Sequence, residues 1–155
     1  KMRNRTSTWF ETKVRYEKTM ENGLQKKVTE QYVIDALSFS EAEAKITEEM
    51  QAYISGDIAV QAIKYASFKE VFFSDDDADD RWFKAKLQFI TISERTEKET
   101  RSNVLYLVQA ADIDVARKYI KDVMEGTAID YDIVQLLETP FMDVFEHCQN
   151  IDNND

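Results

Sequence analysis

Two tryptophan–lysine pairs carry the most suggestive side chains of this sequence. Trp9 precedes Lys13 and Trp82 precedes Lys86, at the same spacing. In strands that alternate, each Trp and its Lys fall on one face. An exposed indole beside a cation stacks on a nucleobase or a ligand ring. The same residues equally fit a surface where two sheets meet, or a dimer contact. Their apolar companions on that face, Val33, Ile90, Leu105 and Leu107, favour burial. A small-ligand site lined by Trp9, Lys13, Trp82 and Lys86 is therefore one expectation, and a buried contact is the other.

The run from Ser74 to Asp80 is the second chemical feature. Asp75, Asp77 and Asp79 open as a calcium loop does, with carboxylates at alternate positions. The pattern then breaks. Asp80 stands where such a loop turns on Gly, and Lys86 stands where a bidentate Glu would close it. Asp75, Asp76, Asp77, Asp79 and Asp80 read instead as a solvated linker, or as an acidic patch that meets a basic partner. No metal site is expected. His147 and Cys148 are each alone of their kind, and zinc needs about four ligands on a rigid frame. As neighbours in a polar tail they do not face each other as a nucleophile and its base must, so both read as incidental.

Other catalytic patterns are missing. The chain has no Gly-rich phosphate loop, no G-x-S-x-G and no H-E-x-x-H. Its 30 Asp and Glu offer no pair that stands out as a general acid and base, and Glu41, Glu43, Glu48 and Glu49 read as the solvated side of a helix. The expectation is a protein without enzymatic activity and without a cofactor.

The elements that would position these residues come twice. Trp9-Phe10 with Lys13-Val14 and Tyr16 returns as Trp82-Phe83 with Lys86-Leu87 and Phe89, 73 positions on. Tyr32 to Ala36 returns as Tyr106 to Ala110. Phe68-x-x-Val71-Phe72 returns as Phe141-x-x-Val144-Phe145. Such self-similarity marks a tandem duplication. Alternation predicts strands over 9–18 and 27–37, with Glu21-Asn22-Gly23 as the turn between them. Ser38 and Glu41 form a capping box for a helix to about residue 54, which Gly56 closes in the left-handed conformation. A strand over 58–65 and a short segment over 68–73 follow. The second half predicts strands over 82–92, 103–111 and 132–138, and a helix over 113–125 capped by Asp112. Ile113, Ala116, Ile120 and Met124 take the places of Phe39, Ala42, Ile46 and Met50.

The expected fold is α+β: a duplicated strand-strand-helix-strand unit, six strands and two helices, related by a pseudo-twofold axis. The expected organisation is a first repeat over 9–73, an acidic linker over 74–81 and a second repeat over 82–145 in one compact domain, with flexible tails at 1–8 and 146–155.

Composition narrows the function classes. The hydrophobic share of 43% supports a real core. A net charge of −10 repels nucleic-acid phosphates and favours cationic partners, although Arg3, Arg5, Lys26 and Lys27 could form a local basic patch. No stretch approaches the roughly 20 apolar residues of a membrane span. The N-terminus shows no secretory signal, and a lone cysteine forms no internal disulfide, so the expected setting is the cytoplasm.

The strings Trp9 to Tyr16, Gln25 to Val33 and Asp35 to Ala44 resemble an uncharacterised family of small acidic proteins, a domain of unknown function found in Bacteroidetes bacteria and their phages. Phe72 to Asp76, Trp82 to Lys84 and Met142 to Phe145 are similar to it too. The resemblance covers most of 9–145 and implies a bacterial or phage cytoplasmic protein, with no activity or site residues attached. The leading expectation is a binding or regulatory protein that acts through protein–protein contacts, with a basic protein partner or a second copy. The rivals are an acidic mimic of nucleic acid that occupies a basic cleft of a host enzyme, and the small-ligand binder named above.

Overall fold

The computed structural model describes residues 2–147. They form β1 (Met2–Arg5), β2 (Trp9–Thr19), β3 (Gln25–Asp35), α1 (Phe39–Gln51), β4 (Ile58–Ala66), β5 (Phe68–Ser74), β6 (Arg81–Ile92), β7 (Glu99–Ala110), α2 (Ile113–Glu125), β8 (Asp130–Glu138) and β9 (Phe141–Phe145). The fold is α+β with two helices and nine strands in two sheets, which corrects the expected count of six. The three strands that alternation did not supply are short. β1 is a polar MRNR segment, expected to be loose, whose backbone pairs antiparallel with β5. β5 and β9 are apolar runs of seven and five residues, too brief to show a clear period.

The chain divides into two units. One holds Ser7–Ser67 and, among the described residues, 140–147. Its sheet runs β4-β2-β3-β9. Phe10, Val14, Tyr32 and Ile34 bury one face of this sheet against Ala42, Ile46 and Met50 of α1. Those three helix positions recur at helical spacing, so one stripe meets the sheet. Ser38 is extended, and its Oγ accepts from the Glu41 N–H at 3.1 Å. The other unit holds Phe68–Thr139 and the segment through Thr6, with the sheet β1-β5-β7-β6-β8. Here Ala85, Leu87, Tyr106 and Val108 pack on Ile120 and Met124 of α2. Asp112 caps α2 by accepting from the Val115 N–H at 2.9 Å.

The units do not follow the repeat boundaries of 9–73 and 82–145. β5 closes the expected first repeat but pairs parallel with β7, with Val71 opposite Leu107. β9 closes the expected second repeat but pairs parallel with β3, with Val144 opposite Val33. The registers match position for position: Phe68 lies opposite Leu105, and Phe141 opposite Gln31. A bulge falls between Lys13 and Val14 where β2 meets β4, and another between Lys86 and Leu87 where β6 meets β8.

The expected close of α1 is corrected. Gly56 does not adopt the left-handed conformation: α1 stops at Gln51, capped by Ala52 in a helical conformation. The left-handed glycine is Gly23, at φ 83°, where the β2–β3 turn closes with the Gly23 N–H donating to the Met20 carbonyl.

Candidate functional site

Both tryptophans are sealed. Trp9 is 0% exposed and Trp82 is 2% exposed. Lys13 and Lys86 are half-buried. Trp82 sets its ring at right angles to Phe73, with centroids 5.4 Å apart, and the Trp9 Nε1–H has no acceptor among the described residues. An indole closed to solvent presents no face to a base or a ligand ring. The expected ligand site at Trp9, Lys13, Trp82 and Lys86 is corrected on this ground, because the apolar companions of that face, Val33 and Leu107, are buried with the indoles.

The acidic run is a built turn rather than a solvated linker. Asp79 is 4% exposed, and its Oδ2 accepts from both the Ser74 and Tyr119 hydroxyls. The Asp76 Oδ1 accepts from the Ala78 N–H at 2.9 Å. Asp79 beside the Tyr119 hydroxyl, with burial and its negative charge, raises that phenol's pKa. Asp75, Asp76, Asp77 and Asp80 remain exposed. Among the described residues no group of three or more His, Cys, Asp or Glu side chains is placed to hold a metal ion.

His147 is not incidental. Its Nε2 lies 2.7 Å from Glu49 Oε2, and its backbone N–H donates to the buried Asp35 carboxylate. Cys148 lies outside the described residues. A second polar group was missed altogether. Glu30 Oε1 accepts from the Tyr16 hydroxyl at 2.6 Å and the Tyr32 hydroxyl at 2.9 Å. Burial, then the Glu30 hydrogen bond and charge, push Tyr16 up to about 12 and raise Tyr32 by the same causes. Tyr16 also lines a cleft of about 390 Å³ with Arg15, Glu17, Lys27, Asp57 and Ile58. Its two cations and two carboxylates balance, so it selects no ligand charge.

One exposed apolar surface lies beside β4; β8 also exposes Val134 and Leu137. Phe39 at the start of α1 and Tyr65 near the end of β4 both stand edge-on to the buried Phe10 ring, with centroids at 5.0 and 6.1 Å. Phe39 is 55% exposed, Tyr65 51% and Leu37 79%. β4 is an edge strand, so one row of its backbone N–H and C=O groups has no strand to bond. Ala59, Gln61, Ala62 and Lys64 are exposed along it, and Lys64 is its one charged residue. β8, the long edge of the other unit, carries Asp130, Asp132 and Glu138. Arg101 pairs with Asp132 at 2.7 Å and Arg81 with Glu138 at 3.5 Å. With Glu43 and Thr47, Phe39 forms the flank of α1 opposite the one where Glu49 meets His147.

Family comparison covers this whole arrangement. The chain belongs to the family of the domain of unknown function DUF4494, whose model matches residues 8–147. No curated protein matches the chain, and no solved structure does. The DUF4494 span takes in β2 through β9, hence both helices and every element that frames the β4 edge, and it leaves β1 outside. Among the described residues no helix is long and apolar enough to cross a membrane.

The β4 surface was legible only in part. The signal that could have found it is where the halves disagree: Ala59 stands against Asp132, and Tyr65 against Glu138, at the repeat spacing.

Proposed function

We propose that this DUF4494 chain is a non-enzymatic binding or regulatory protein that acts through protein–protein contacts in a bacterial or phage-infected cytoplasm. The observation that carries the reading is the exposed ring pair of Phe39 and Tyr65 on the Phe10 ring, with Leu37 close in sequence. Aromatic side chains that stay half open on a buried support supply contact area at small entropic cost, as interface anchors do. The net charge of −10 favours a basic partner. The setting rests on the resemblance to proteins of Bacteroidetes and their phages.

Tandem copying of a half-length gene belongs to the same reading. Matched registers, matched bulges and matched helix caps support it. On that view β4 and β8 descend from one edge strand. Charge blunts β8, while β4 stays open and gains Tyr65.

The test is affinity purification of the tagged full chain from its native host with mass spectrometry, beside Phe39→Ala/Tyr65→Ala. The wild type should recover a defined protein that the double variant loses. A chain that recovers none, yet turns over a compound in a metabolite screen, overturns the reading.

A further inference from the structure

We infer that β4 takes up an extended, cation-bearing segment of its partner as an added strand. This deepens the proposed protein–protein reading and rests on it. Strand addition needs an open edge, and the four edge strands here differ. β1 and β9 are four and five residues long. β8 is nine residues but carries three carboxylates. β4 is nine residues with Lys64 as its one charge and no proline. Natural sheets protect long edges with charge, proline or bulges, because an open edge pairs with whatever strand it meets. β4 has the bulge, set between its contacts with Lys13 and Val14, and the single charge of Lys64, and Ala62–Ala66 runs in unbroken register with β2.

The surroundings specify the occupant. In strand addition the backbone supplies affinity and pockets for alternate side chains supply selectivity. On the helix side of β4, Tyr65 and Phe39 stand edge-on to Phe10 and are half exposed, so they offer ring surface to an apolar side chain. The same flank of α1 carries Glu43, which is exposed, and Glu48 lies one turn further along the outer face. Every second side chain of an incoming strand faces α1, so an apolar residue seated beside the rings and a basic residue two positions from it both lie on the helix side, the basic one toward these carboxylates. A second copy of this chain fits less well. Each copy carries −10, so two edges approach against their own repulsion.

A random peptide library tests this, with members of about twelve residues, long enough to lie along the strand at ~3.3 Å per residue. The library is panned on the full chain, and enriched peptides are resynthesised. Enriched peptides should carry a β-branched or aromatic residue and, two positions from it, Lys or Arg, and should slow amide exchange across Ile58–Ala66. Ala59→Lys/Tyr65→Lys, which gives β4 the kind of charge that blunts edges, should weaken binding by about tenfold or more. Glu43→Gln should weaken it about two- to fivefold with binding falling as salt rises. Circular dichroism confirms that each variant folds. Peptides that protect another surface overturn the inference, as does exchange protection of Ile58–Ala66 that needs no peptide and tracks a dimer mass. A host partner that depends on Phe39 and Tyr65 but leaves the β4 amides exchanging freely sinks strand addition alone and leaves the binding role standing.

Discussion

The His147 backbone N–H donates to the Asp35 carboxylate, a side chain with 0% exposure that also accepts from the Ser7 hydroxyl at 3.4 Å. The other unit has the corresponding bond: the Ser74 N–H donates to the Gln109 side-chain carbonyl at 2.9 Å. Each crossing strand, β5 or β9, is thus fastened just at or past its end by a side chain from the strand it pairs with. A buried N–H without an acceptor costs about 1–3 kcal/mol. Asp35→Ala should therefore lower unfolding free energy in urea by about 2 kcal/mol, since it takes the acceptor from two part-buried donors, the His147 N–H and the Ser7 hydroxyl, and Gln109→Ala by about 1 kcal/mol, since it takes it from one. Loss of less than half a kcal/mol in both would show that the strand ends are held by something else.

Glu30 joins two phenols, and its effect is a matter of alkaline pH. Tyr16 is held up to about 12, against an ordinary value of 10.0. A raised folded-state pKa means that the folded state keeps its proton where the unfolded state has lost it. The resulting stability is fully present below pH 10 and is lost as pH rises toward 12. Phenolate absorbance should show Tyr16 and Tyr32 among the late-titrating tyrosines, with Tyr106 and Tyr119, and unfolding should set in over that same window. Glu30→Gln should bring both ionisations to lower pH. Unchanged titration in the variant would mean that burial alone raises them.

Much of the fold is readable from residue types because the two long hairpins and both helices repeat their own physics. Phe10, Val14 and Tyr16 alternate, Ala42, Ile46 and Met50 fall on one helical stripe, and Ser38 and Asp112 announce helix starts. What sequence reading cannot supply is partner choice. Phe68–Ser74 and Phe141–Phe145 look like the ends of their own repeats, yet their hydrogen-bonding partners lie in the other repeat. Local pattern is the same for either pairing, so only tertiary structure decides it. Site residues failed for a related reason. Trp9 and Lys13 share a face by alternation, but whether a face is wet or dry depends on what covers it. Asp79 reads as one of five similar carboxylates, and only its bonds to Ser74 and Tyr119 set it apart.

That distinction within the acidic run is measurable. Asp79→Ala strips the acceptor from two part-buried hydroxyls, and should cost about 2 kcal/mol. Asp77→Ala and Asp80→Ala change exposed positions, and each should stay within about 0.5 kcal/mol. Tyr119→Phe removes one of the two donors and should fall between, near 1 kcal/mol. Thermal or urea unfolding of the four variants separates a structural turn, which gives this ranking, from a uniformly solvated run, which gives four small values.

The helix stripe gives a third stability test. Ile46 is 0% exposed on α1 and Ile120 is 2% exposed on α2. Each replacement by alanine removes buried methyl groups and leaves a gap, so each should cost about 2–5 kcal/mol. Ser38→Ala and Asp112→Ala remove one capping acceptor apiece and should cost about 1 kcal/mol. A cap variant as damaging as a core variant would contradict the division of labour between stripe and cap.

Burial of the indoles makes its own prediction. Iodide in solution should quench neither Trp9 nor Trp82 in the folded chain, and should quench both after unfolding. Substitution then separates the two. Trp9→Phe leaves a gap, but it also removes an N–H that is buried without an acceptor, a group that costs about 1–3 kcal/mol to keep. Trp82→Phe leaves a similar gap, disturbs the perpendicular contact with Phe73, and relieves no such donor. Trp9→Phe should therefore be the milder change by about 1 kcal/mol or more in urea unfolding. If Trp9→Phe proves the more damaging of the pair, the Trp9 nitrogen has a partner, and an ordered water would be the first to look for.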